Sequence, residues 1–312
     1  MIDPLRPFIA RRGAAVLDGG LATELEVRGL DLADPLWSAR ALIDAPALVA
    51  AVHRDYLEAG ADVIATATYQ ATLPGLAARG LPSSEARRVL LSGVALACRE
   101  RDAFWERRAQ DSARARPLVA ASIGSYGAFL ADGSEYRGDY GHGADTLATW
   151  HRPRLRLLED SGADLVAFET IPSLVETAAL VRLLDEREGP PAWLAFQARN
   201  IEDLADGTPV ELAASLAERC RRVVAVGVNC VAPWLVAGLL ARFAMATAKP
   251  LAAYPNRGER WDAASRTWIA GGGPVVALDL AAPGWRAAGA RLIGGCCRTT
   301  PADIRAIAAA LD

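Results

Sequence analysis

The sequence predicts a parallel α/β fold of the (β/α)8 barrel type, one domain over residues 1–312. Three observations carry that reading. Short apolar or β-branched runs alternate eight times with longer helical patterns, as expected for parallel strands joined by crossover helices. Several helical stretches close on a glycine just before the next strand, at Ala59-Gly60, Ser161-Gly162 and Ala288-Gly289, which is repeated C-cap chemistry. The strand ends, finally, carry polar residues on the side where barrel active sites lie.

Taken in order, a strand over 15–19 ends at Asp18-Gly19-Gly20 and leads to a helix over 46–59. The second, 63–69, ends at Thr68-Tyr69-Gln70 ahead of a helix over 84–107. The third, 118–123, ends at Ser122-Ile123-Gly124-Ser125, and the long connection 125–144 precedes a helix over 145–161. The fourth, 165–169, ends at Glu169-Thr170 before a helix over 173–187. A fifth strand, 193–197, and a helix over 210–222 follow. The sixth, 223–229, ends at Asn229-Cys230 before a helix over 234–248; the seventh, 251–254, ends at Tyr254-Pro255-Asn256 before a helix over 277–288. The eighth, 290–294, runs into Cys296-Cys297 and a closing helix over 301–311. A doubly wound open sheet is the alternative. It separates the sixth and last strands unless their order makes them neighbours, whereas barrel closure brings them within reach of one ion.

Composition narrows the partners. At 52% hydrophobic and 23% charged the chain is of ordinary globular type. A net charge of -3, from 34 basic and 37 acidic side chains, leaves no basic footprint for nucleic acid. The arginines, Arg152, Arg154 and Arg156 among them, read as solvated helix faces. With no secretory h-region and no long apolar run, the expectation is a cytoplasmic protein without a membrane partner. Five cysteines, an odd number, argue for reduced thiols rather than a disulfide framework. Cys98 and Cys220 read as packing residues. Nothing indicates the oligomeric state.

The remaining cysteines stand apart. Cys230 and the Cys296-Cys297 pair each follow a hydrophobic run and precede a polar turn and a helix, so they occupy equivalent strand-end positions. Vicinal cysteines there can be plain buried hydrophobes. Their shared placement points instead to a three-thiolate metal site. Soft thiolates select zinc or copper(I), and three protein ligands leave a tetrahedral position open, the mark of a catalytic site whose fourth ligand is the substrate. His53 and His151 sit in helical patterns and His142 in a glycine-rich loop, so no strand end offers an imidazole.

The stretches 17–25, 69–72, 131–140 and 254–256, with the Gly-Gly-Cys-Cys run, resemble the homocysteine S-methyltransferase family, most closely its bacterial S-methylmethionine-dependent branch. The resemblance implies zinc held by Cys230, Cys296 and Cys297. It implies methyl transfer from a sulfonium donor, S-methylmethionine, to the thiolate of L-homocysteine, giving methionine. Both partners are small molecules. Glu169 resembles the family acid that holds the homocysteine ammonium, and Asp18, Gly19 and Asn229 join it as substrate-binding candidates. Trp37 and Tyr69 offer aromatic faces to the sulfonium; the Tyr69 hydroxyl is also a candidate for the open metal position. The connection 125–144 reads as a lid over the donor. Alternatives are S-adenosylmethionine or a betaine as donor, selenocysteine as acceptor, a zinc hydrolase on the same barrel, or a zinc-binding or redox-sensing barrel without catalysis.

Overall fold

The computed structural model describes residues 3–31, 34, 36–108, 114–262, 265 and 267–312. Eight parallel strands form one sheet: β1 (Ala15–Val16), β2 (Val63–Ala65), β3 (Leu118–Gly124), β4 (Leu165–Ile171), β5 (Ala192–Phe196), β6 (Val223–Asn229), β7 (Leu251–Tyr254) and, after a small antiparallel hairpin β8 (Arg260–Asp262) and β9 (Thr267–Ile269), β10 (Ala290–Ile293). The order β1-β10-β7-β6-β5-β4-β3-β2 closes where Leu17 bridges Val63 in parallel, with Asp62 N donating to Val16 O at 2.7 Å and Asp18 N to Val63 O at 3.1 Å. The barrel, not the open sheet, is therefore what the strand pattern encoded, and β6 and β10 both flank β7.

Strand parity sorts the side chains. Leu17, Val63, Ala120, Ala167, Ala195, Ala225, Ala252 and Leu292 pack inside the barrel, whereas Val16, Ile64, Val119, Val166, Leu194, Val226 and Ile293 face the helices. Alanine dominates the inner wall, and the space it leaves is taken by Trp193 and Tyr254, 1% and 3% exposed. The N-terminal mouth is stoppered by the helix Arg6–Arg12, whose Phe8, with the preceding Leu5, joins the inner cluster. Arg12, almost fully buried, pairs with Asp62 at 2.5 Å. That leaves the C-terminal mouth for the site.

β1 and β2 are shorter than the sequence pattern suggests, for a visible reason: side chains take over the ladder. Asp18 Oδ2 accepts Ala65 N–H at 2.8 Å, Thr66 Oγ1 accepts Ser122 N–H at 3.0 Å, and Thr68 Oγ1 donates to Ser122 O at 2.7 Å. The solvated-face reading of Arg154 is corrected. In the helix Ala144–Glu159 it shares the buried stripe of Leu147, His151 and Leu158, and its guanidinium donates to Gly124 O at 2.6 Å and Tyr69 O at 3.3 Å. Burial lowers its pKa to about 10. Among the described residues, no helix is long and apolar enough to cross a membrane.

Candidate metal centre and substrate pocket

At the C-terminal mouth the sulfurs of Cys230, Cys296 and Cys297 lie within 4.8 Å of one another. Tetrahedral thiolate ligands at ~2.3 Å from zinc stand about 3.8 Å apart, so the donor set fits such an ion after small rotamer changes. Two of the three cysteines are placed by backbone hydrogen bonds. Cys230 N donates to Tyr254 O at 3.2 Å and Cys296 N to Pro255 O at 2.8 Å, so both hang from the end of β7. Cys230 adopts a left-handed φ of 51°, as does Thr170 after Glu169 at 57°. Such conformations cost ~1–3 kcal/mol each and gather at functional sites. Gly294 explains how β10 reaches this rim: a Cβ there would lie 2.7 Å from Leu17 Cβ and 2.8 Å from Leu17 O.

Asn229 supports this geometry. Its Oδ1 accepts Thr170 N–H at 2.7 Å, and its Nδ2 donates to Thr170 Oγ1 at 3.0 Å and towards Cys296 Sγ at 3.8 Å. Asn229, a substrate-binding candidate from the sequence, also lines the pocket. Charge in the cluster is uneven. Hydrogen bonds from Cys296, Cys297 and Tyr136 hold the Cys230 thiol well below the usual thiol range, while the other two thiols are pushed up beside it.

Tyr136 Oη lies 3.6 Å from Cys230 Sγ. Tyr69, the sequence candidate for the open position, is buried close enough to Cys230 and Cys296 for both to raise its phenol above the usual range, burial being the main cause. Its ring meets Trp37 edge-on at 6.5 Å between centroids, and both line the pocket. Gly19 also lines it, and its lack of a side chain serves packing: a Cβ there would lie 2.7 Å from Thr299 Oγ1 and 2.9 Å from the Tyr56 ring.

Glu169 and Asp18 face the same cavity. Glu169 accepts from the Ser122 hydroxyl and from Tyr254, whose oxygen in turn accepts Trp193 Nε1–H at 2.8 Å. Burial, above all, raises the Glu169 carboxyl to about 7. Burial likewise pushes Asp18 up, with Glu169 adding repulsion. Ser122 and Tyr254, as partners of Glu169, and Trp193, as the partner of Tyr254, escaped sequence reasoning, although inward parity on β3, β5 and β7 was a usable signal.

The connection 125–144 folds over the mouth through the short helix Tyr126–Leu130 and a helical turn at Ser134–Tyr136. It brings Ala131, Glu135 and Tyr136 into the pocket wall. It is tied down beneath. Glu176 accepts from Tyr126 N at 2.7 Å, from the Tyr140 hydroxyl, and from buried His151 at 2.7 Å. His53 is fully buried too, so both helical histidines pack inside, and His142 reaches Tyr126 Oη at 3.2 Å. None of the three lines the pocket.

A closed parallel barrel with three cysteines converging at its C-terminal rim defines a class: barrel proteins built round a cluster able to hold a metal, with one side open to a substrate. Within that class, residues 15–311 match the family model for homocysteine S-methyltransferase, and the chain belongs to that family. It is 45% identical to the homocysteine S-methyltransferase YbgG of Bacillus subtilis (strain 168) over 308 residues, 99% of this chain and 98% of the relative. It is 46% identical to a selenocysteine Se-methyltransferase of Brassica oleracea var. italica, over 95% of this chain and 88% of the relative. The metallated form of the homocysteine methyltransferase MmuM from Escherichia coli superposes with a TM-score of 0.88 at 44% identity, covering 98% of this chain and 99% of that one.

Proposed function

We propose that the protein transfers a methyl group from S-methylmethionine to the sulfur of L-homocysteine, with zinc held by Cys230, Cys296 and Cys297. One observation carries this reading: the three sulfurs open onto a pocket lined by four carboxylate residues and seven aromatic ones, with no basic side chain among the described lining residues. Such a wall suits cationic ligands, a sulfonium and amino-acid ammonium groups. Zinc, when bound, supplies a site that keeps the acceptor sulfur as thiolate near neutral pH, where a free thiol with a pKa of ~8.5 is mostly protonated.

The chain's own residues do the rest. Glu169, with Asp18 beside it, meets the homocysteine ammonium, and the Ser122 and Tyr254 hydroxyls aim its carboxylate. Trp37 and Tyr69 present ring faces to the sulfonium, an attraction of about 0.5–2 kcal/mol. The thiolate forms a new C–S bond to the methyl carbon while the old C–S pair stays on the donor sulfur, which leaves as a neutral thioether. No general acid is required, which suits a pocket without histidine. Positioning of the reacting atoms at about 3–3.5 Å is the main demand. Reduced thiols at such a centre suit the cytoplasm.

The test is steady-state kinetics of the zinc-loaded protein with homocysteine and each donor in turn. The expected outcome is a higher kcat/KM for S-methylmethionine than for S-adenosylmethionine or betaine; the reverse order overturns the donor assignment. Selenocysteine in place of homocysteine measures acceptor choice in the same assay.

A further inference from the structure

Four carboxylates face the pocket, and three are accounted for. Asp18 accepts Ala65 N–H, and Glu169 accepts two hydroxyls. Asp34 caps Leu36 N at 2.8 Å and pairs with Arg79 at 3.1 Å. Glu135 differs: its Oε2 is buried without a hydrogen-bond partner. Its neighbour Arg137 turns to Asp139 at 3.2 Å and to Ser134 Oγ at 3.1 Å. A buried carboxylate oxygen left unpaired is costly unless a ligand completes it. Burial also raises the Glu135 carboxyl to about 7, Cys230 adding repulsion.

The position of Glu135 is built rather than incidental. Gly127 lets the turn dock so closely that a Cβ there would lie 2.4 Å from Glu135 N and 2.6 Å from Ser134 C. The next residue, Tyr136, reaches Cys230, so Glu135 stands at the roof of the cavity while Glu169 and Asp18 stand on the strand ends. The pocket thus has two anionic poles, and the reaction brings two amino acids.

We propose that Glu135 is the donor-recognition residue, its Oε2 binding the α-ammonium of the sulfonium amino acid. The assignment rests on the methyl transfer proposed above and adds what selects the donor. It implies that a sulfonium without an amine forfeits this contact.

The test compares wild type with Glu135→Gln, and with Glu135→Asp as a second variant, using S-methylmethionine and 3-(dimethylsulfonio)propionate, which keeps the sulfonium and carboxylate but lacks the amine. Loss of a charged hydrogen bond predicts a roughly ten- to a hundred-fold rise in KM for S-methylmethionine in Glu135→Gln. Zinc content and homocysteine affinity stay at wild-type values, and Glu135→Asp falls between. The inhibition constant of the amine-free sulfonium against S-methylmethionine stays unchanged. An unaltered KM for S-methylmethionine, or an equal loss for both sulfonium compounds, overturns the assignment. If wild type makes no methionine from S-methylmethionine, the donor reading itself fails and Glu135 falls with it; if it does and Glu135→Gln matches it, only the role of Glu135 fails.

Discussion

The residues at the rim divide the labour, and each division can be broken separately. Cys296→Ala removes one of three sulfurs within 4.8 Å of one another; the expected outcome is loss of stoichiometric zinc and of activity together, read by metal analysis and methionine formation. Retained zinc would take Cys296 out of the ligand set. Glu169→Gln leaves the sulfurs untouched and is expected to weaken homocysteine binding roughly ten- to a hundred-fold, a charged hydrogen bond lost, with zinc content unchanged by metal analysis. Because burial raises the Glu169 carboxyl to about 7, it is protonated and neutral below that pH and a carboxylate above it. Homocysteine affinity in wild type should therefore fall as pH drops through about 7, and Glu169→Gln should flatten that limb of a titration-calorimetry profile. The cysteines were legible in the sequence because a thiol after an apolar run can be placed without knowing the fold. Asn229 was legible as a strand-end residue and a substrate-binding candidate. Its hydrogen bonds to Thr170 and towards Cys296 depend on the left-handed backbone of Thr170, which no local pattern announces.

At the scale of elements, the loop 125–144 acts through its anchors. Gly127→Ala forces a Cβ to within 2.4 Å of Glu135 N, so the turn at Ser134–Tyr136 must move. Overpacking of this kind costs ~1–3 kcal/mol. The expected result is a raised donor KM with zinc content and homocysteine affinity near wild type, measured by steady-state kinetics and calorimetry; a raised homocysteine dissociation constant instead would place the loop over the acceptor. The loop's length marked it in the sequence. Its path did not, since that is set by the distant Glu176 gathering Tyr126, Tyr140 and His151. Arg154 shows the opposite case. A spacing of two among Arg152, Arg154 and Arg156 turns successive side chains about 200° apart on a helix, and the period of Leu147, His151 and Leu158 already placed Arg154 inside.

For the whole molecule, eight alternations of strand and helix were readable because parallel strands buried on both faces are apolar throughout and several crossover helices close on a glycine signal. Closure itself was preferred because it brings Cys230 and the last strand's cysteines within reach of one ion, and the Leu17 to Val63 bridge supplies it. The hairpin of β8 and β9, whose Trp261 and Trp268 join the pocket wall with ring centroids 5.3 Å apart, went unread, since strands of three residues carry too little period to detect. The central claim is that barrel closure assembles a three-thiolate zinc site whose open position takes the acceptor sulfur. X-ray absorption at the zinc edge tests it most directly. The account predicts three sulfur neighbours in the zinc-loaded protein and four once homocysteine is saturating; a sulfur count unchanged by saturating homocysteine would contradict it.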